Sequence, residues 1–150
     1  MTSKQVVGDF ISQKSLAVVG VSRGGNKFGN TAYRELRSRG YRVYPIHPSA
    51  ETLEGDRAYA NLQALPVRVG GVVASVPPAS TIQVVKDAKG AGIPRIWMQQ
   101  GSESPEAIRL CQEYGIEVVT GECILMFAEP VGSGHRLHRF VKGLFGGLPK

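Results

Sequence analysis

Short runs rich in valine and isoleucine punctuate the chain at residues 15–19, 41–46, 71–76, 95–98 and 116–119, mostly continuous and not alternating with polar positions. Near-continuous apolar runs of this length mark strands covered on both faces. The stretches between them follow a helical period. Residues 30–39 bring Ala32, Tyr33 and Leu36 to one side, 78–89 bring Ile82, Val85 and Ala88 together, and 105–114 do the same for Ala107, Ile108 and Cys111. Gly40, Gly92 and Gly115 follow where helices need a stop. A helix over 4–13 is expected ahead of the first strand. Residues 51–66 read as an irregular crossover with a short helix near 61–65.

Strand, helix, strand at this spacing, joined by right-handed crossovers, predicts an α/β fold. The expected architecture is a Rossmann-like doubly wound parallel sheet of about five strands in the order 3-2-1-4-5, with helices on both faces. Composition agrees: 150 residues, 42% hydrophobic and 20% charged, suffice for one domain with a real core. No apolar run reaches the roughly 20 residues of a membrane span, and Met1 to Asp9 lack the features of a signal peptide. A cytoplasmic protein without membrane contact is expected. Cys111 and Cys123 lie in neither a CxxC nor a Cys/His cluster, so neither a disulfide framework nor structural zinc is implied. The net charge of +6 favours anionic partners, yet Arg136, Arg139, Lys142 and Lys150 supply much of it near the end. There Leu137, Phe140, Val141 and Leu144 recur at helical spacing, predicting that 131–150 is a basic amphipathic tail, capped by Ser133, of the same domain as 1–130. Without aromatic stacking platforms, that charge does not favour nucleic acid.

Chemistry concentrates in the loop after the first strand, AVVGVSRGGNKFGN at 17–30. Gly20 allows a sharp turn, Ser22 supplies a hydroxyl, Gly24 and Gly25 permit close backbone approach, and Gly29 and Asn30 lead into a helix whose free N–H groups attract anions. A phosphate is the natural guest. The spacing Gly20-x-Ser22-x-x-Gly25 only loosely follows a dinucleotide GxGxxG, and no Gly-Lys-Ser/Thr makes it a Walker loop. At the end of the second strand, where an NAD site places a carboxylate, the chain reads Ile46-His47-Pro48, with Glu51 farther on. Arg23 and Lys27 add positive charge suited to an extra ribose phosphate, which leaves coenzyme A and NADP as ligands.

Four motifs in order, GVSRGGNKFGN, YRVYPIHP, SVPP and WMQQG, resemble the small stand-alone CoA-binding proteins. These are similar to the CoA-binding domain of the succinyl-CoA synthetase α subunit and of ADP-forming acyl-CoA synthetases. The resemblance spans about residues 14–123. It implies that Gly20, Val21, Ser22, Arg23, Lys27, Phe28, Gly29 and Asn30 form the loop holding CoA phosphates, and that Ile46, His47 and Pro48 border the adenosine end. Val76 and Pro77 would lie along the ligand, with Met98, Gln99 and Gly101 facing its pantetheine arm. Where the family often has Asn-Pro-Lys, this chain has His47-Pro48-Ser49.

The implied function is binding of CoA or acyl-CoA without catalysis of its own, oligomeric state left open. The alternatives are a nicotinamide-nucleotide oxidoreductase and a non-catalytic subunit of an acyl-CoA synthetase. The histidine phosphorylated in the synthetases lies in a further domain, and His47, His135 and His138 have no evident catalytic partners. Glu122 and Cys123, adjacent on an extended segment, point to opposite faces. No catalytic residue is assigned, and the scattered Asp9, Asp56 and Asp87 offer no metal-ligand spacing.

Overall fold

The computed structural model describes residues 4–128. Helix α1 (Lys4–Ile11) precedes strand β1 (Ser15–Val19), helix α2 (Phe28–Ser38) and strand β2 (Arg42–Ile46). Two short strands follow, β3 (Thr52–Leu53) and β4 (Asp56–Arg57), then a single 3-10 turn at Leu62–Ala64. The second half comprises β5 (Gly71–Ala74), α3 (Pro78–Gly90), β6 (Arg95–Met98), α4 (Pro105–Tyr114), β7 (Glu117–Val119) and a 3-10 turn at Ile124–Met126.

The apolar runs all become strands of one parallel sheet, ordered β2-β1-β5-β6-β7. The expected 3-2-1-4-5 winding is therefore met with a change of member. The third place, outside β2, is held by Tyr59 through a single parallel bridge to Ile46, its N–H donating to Pro45 O and its carbonyl accepting from His47 N. The run at 71–76, counted third from the sequence, instead pairs with the other side of β1, between β1 and β6. The order in which strands are added thus reverses between β1 and β5, and there the crevice at the strands' carboxyl ends opens.

Alternation along each strand sorts the core into two layers. Leu16, Val18, Val73, Trp97 and Val119 join Tyr33 and Leu36 of α2 and Phe10 of α1 on one face. Ala17, Val72, Ala74, Ile96 and Met98 join Val84, Val85 and Ala88 of α3 and Ala107 and Cys111 of α4 on the other. Trp97, fully buried, receives Phe10 at 5.3 Å and Phe127 at 5.9 Å between ring centroids, and its indole N–H donates to Glu122 O at 3.0 Å. Arg39, at the end of α2, donates to the carbonyls of Leu125 and Ala128.

The expected helices are present, with α2 starting two residues before the expected 30–39 segment. Ser104 caps α4 by accepting from Ala107 N, and Gly115 ends it in the left-handed region at φ 72°. The crossover expected to be irregular contains a hairpin. Its two-residue turn, Glu54 and Gly55, has φ 53° and 82°, and Thr52 and Leu53 pair with Arg57 and Asp56. The tail at 131–150, with Ser133 and the expected amphipathic helix, lies outside the described residues. None of the described helices is long and apolar enough to cross a membrane.

Candidate functional site

Three backbone segments meet at the crevice with no space for side chains between them. Gly20 leaves β1 at φ 116°, and a Cβ there would lie 2.0 Å from the carbonyl oxygen of Ser75, just past β5. A Cβ on Gly29 would lie 2.2 Å from the carbonyl oxygen of Gly20. Glycine at both positions brings the start of α2 directly over the carboxyl ends of β1 and β5. No side chain caps this helix start: Lys27 occupies the cap position without a side-chain hydrogen bond. A helix N-terminus held over a glycine cradle is the geometry that receives a phosphate.

Asn30 shapes the loop between these glycines. Fully buried, its amide faces the backbone of Ser22 as one peptide faces another across a sheet: Oδ1 accepts from Ser22 N at 2.9 Å and Nδ2 donates to Ser22 O at 2.9 Å. Oδ1 also accepts from Ser22 Oγ at 2.8 Å, and Nδ2 donates to Glu54 Oε2 at 2.7 Å. The resemblance placed Asn30 among residues touching the ligand. In the structure all four hydrogen-bonding positions of its amide are used within the protein, where they shape the loop.

Through Glu54 the loop is tied to the β3–β4 hairpin. The Glu54 carboxylate accepts from Arg34 Nη1 at 2.8 Å, and Arg37 Nη1 bonds both Glu54 O and Asp56 Oδ2 at 2.8 Å. Tyr33 donates its phenol proton to Asp56 Oδ2. Donation from Asn30 holds the Glu54 carboxyl below the usual carboxylate range, with Arg34 adding to the effect. Donation from Tyr33, then Arg37, does the same for Asp56, while burial and the bond to Asp56 raise the Tyr33 phenol.

Fastened this way, the hairpin forms the far wall of an open cleft of about 680 Å³, lined by Ser22 and Arg23 on one side and by residues 49–54 on the other. Arg23 reaches across its mouth to Ser49, Nη2 donating to Oγ at 3.0 Å. His47 Nδ1 accepts from the N–H groups of Ser49 and Ala50, both at 3.1 Å. His47 therefore fixes the turn that carries Ser49 into the cleft. Pro48 is exposed beside it, and Ile46 and Val21 are buried in the core. Lys27 and Phe28 stand exposed at the start of α2.

On the other side of the crevice, Val76 donates its N–H to Ser102 Oγ at 3.0 Å, and Thr81 donates to Ser102 O at 2.7 Å. Pro77, exposed, occupies the cap position of α3. Met98 is wholly within the core, and Gln99 is buried with its Oε1 accepting from Ile124 N at 3.1 Å. These two support the loop from below. Gly101 lies in the open at φ 92°. Glu103 ties this loop to the next, its two oxygens accepting from Gly101 N at 2.8 Å and Gly121 N at 2.9 Å. Beyond Gly121, burial raises the Glu122 carboxyl. Cys123 is free and half-buried, whereas burial pushes the Cys111 thiol up to about 11.

Sequence reasoning missed Glu54, Ser102 and Glu103. The Glu54-Gly55 pair was a readable turn signal, but the carboxylate's partners lie 20 and 24 positions away along the chain.

The chain matches the CoA binding domain family over residues 14–129. It is 25% identical over 126 residues to the α subunit of an ADP-forming acetate–CoA ligase II of Pyrococcus furiosus, covering 77% of this chain but 28% of that protein. This chain therefore spans little more than a quarter of that relative's length. Among solved structures, a conserved hypothetical protein from Pyrococcus furiosus superposes with a TM-score of 0.71 at 37% identity, covering 75% of this chain and 97% of that one. A dinucleotide forming acetyl-coenzyme A synthetase 1 of Ca. Korarchaeum cryptofilum superposes at 0.64 and 32% identity, over 70% of this chain and 25% of that one. With its glycine cradle at the β1–β5 crevice and a family match across most of its length, the chain belongs to the CoA binding domain family.

Proposed function

We propose that the protein binds coenzyme A or an acyl-CoA and carries out no reaction on it alone. The observation that carries this reading is the contact of Ser75, Gly20 and Gly29, which leaves the start of α2 exposed to a ligand phosphate. In this reading the pyrophosphate lies against the 20–30 loop, with charge from Lys27, and the adenosine end enters the cleft between Ser22 and residues 49–54, its ribose phosphate beside Arg23. The pantetheine arm runs past Val76 and Pro77 toward Gly101. Bound CoA supplies a thiol for acyl transfer, and the protein's part is to hold it. The ligase relatives support a second role as the CoA-holding part of a larger assembly. Glu51, a carboxylate lining the cleft, is the feature that favours the nicotinamide-nucleotide alternative, since such sites use a carboxylate on the ribose.

Thermal unfolding with CoA, NADH and NADPH decides between them. CoA at a hundred times its dissociation constant adds about 2.7 kcal/mol of stability by linkage, read as a rise in Tm of several degrees. A rise with NADH or NADPH and none with CoA overturns the proposal. Native mass spectrometry of protein purified without added ligand gives an independent reading, with a CoA mass shift as the expected result.

A further inference from the structure

The hydrogen bonds around Asn30 restrict what Ser22 can offer a ligand. Because Ser22 N–H donates to Asn30 Oδ1, that atom is the amide's oxygen and only accepts. Ser22 Oγ, 2.8 Å from the same atom, must therefore give its proton to it. The Ser22 carbonyl is already taken by Asn30 Nδ2, and Glu54, itself held by Arg34, fixes the amide's orientation from the other side. The only polar capacity Ser22 retains is the lone pairs of its hydroxyl, and the residue lines the cleft. A phosphate oxygen has no proton to place there. A ligand hydroxyl has one.

We infer that Ser22 accepts a hydrogen bond from a ribose hydroxyl of the bound nucleotide, making it a specificity residue for ribose and not a phosphate contact. The inference rests on the CoA reading above. In coenzyme A the 3′ position carries a phosphate, so the donor is the 2′-hydroxyl, and its neighbouring phosphate then falls beside Arg23, the residue next to Ser22 in the cleft lining. Phosphate recognition is left to backbone N–H groups, Arg23 and Lys27.

Calorimetric titration with adenosine 3′,5′-bisphosphate and 2′-deoxyadenosine 3′,5′-bisphosphate tests this, since the two differ by that hydroxyl alone. One neutral hydrogen bond corresponds to about a three- to tenfold preference for the ribonucleotide. Ser22→Ala is expected to abolish the preference and Ser22→Thr, which keeps the hydroxyl, to retain it, with thermal unfolding confirming that both variants fold. Equal binding of the two nucleotides by the unaltered protein overturns the inference without needing any variant. So does a preference that survives in Ser22→Ala, or an equal loss for both nucleotides, which would return the hydroxyl to a phosphate. If neither nucleotide nor CoA binds, the CoA reading fails and takes this inference with it. If CoA binds and neither nucleotide does, only the ribose contact is refuted.

Discussion

Gly29, the second residue of α2, sits against Gly20 at the end of β1 so closely that a methyl group on Gly29 would lie 2.2 Å from the Gly20 carbonyl oxygen. Alanine in a helix interior is favoured over glycine by about 1 kcal/mol. At Gly29 the overlap is with backbone and cannot be relieved by a rotamer change, so overpacking of about 1–3 kcal/mol outweighs that gain. Gly29→Ala is expected to lower stability in urea denaturation. Gly8, in α1, has nothing within 4 Å of its missing Cβ, so Gly8→Ala should instead raise stability by about 0.5–1 kcal/mol. Changes of the same sign in both variants would refute the packing argument.

The hairpin's carboxylates give stability an acid limb. Glu54 and Asp56 are both held below their ordinary values. Their contribution is complete above the unfolded range near about 4 and is lost as pH falls through the lower folded values. Tyr33 is raised above its ordinary 10.0. Its contribution is complete below that value and is lost as pH rises from there toward the higher folded one. Urea midpoints measured at acid pH should fall less steeply for Asp56→Asn than for the unaltered protein. Parallel curves would show that the hairpin carboxylates do not set the acid limb.

Arg23, braced on Ser49, is expected to meet the phosphate that distinguishes coenzyme A from dephospho-CoA. Loss of a hydrogen bond to a charged group costs about 1.5–3 kcal/mol, so Arg23→Ala should weaken CoA binding by roughly ten- to hundredfold at low salt. Binding of dephospho-CoA should change much less. Equal losses for both ligands in calorimetry would move Arg23 to the pyrophosphate.

Glu103 joins the loops after β6 and β7 through Gly101 N and Gly121 N. Replacing it with alanine removes both acceptors, and hydrogen exchange at these two amides should speed up by about tenfold or more while core strand β5 keeps its protection. Unchanged exchange at Gly101 and Gly121 would show that other contacts hold the loops.

How far the sequence alone revealed this molecule follows from the range of the forces involved. The strands were readable because β5, Gly71–Ala74, is buried at every position, and such a run needs no partner to be recognised. Its place in the sheet was not, since pairing with β1 instead of lying beyond β2 depends on where the 51–66 crossover runs. The hairpin there escaped notice because two-residue strands carry no period. In the site, the glycines of the loop were legible from local backbone demands. The part Asn30 plays in bracing the loop was not, because it arises from a meeting with Glu54.

Trp97 draws Phe10 and Phe127 onto its two flanks, so residues near the two ends of the described chain finish the same piece of core. During synthesis, which delivers the amino end first, the indole gains Phe10 early but lacks its second cover until residue 127 has left the ribosome. Closure of this core is therefore timed by chain length, and the single tryptophan is a built-in optical reporter of that moment.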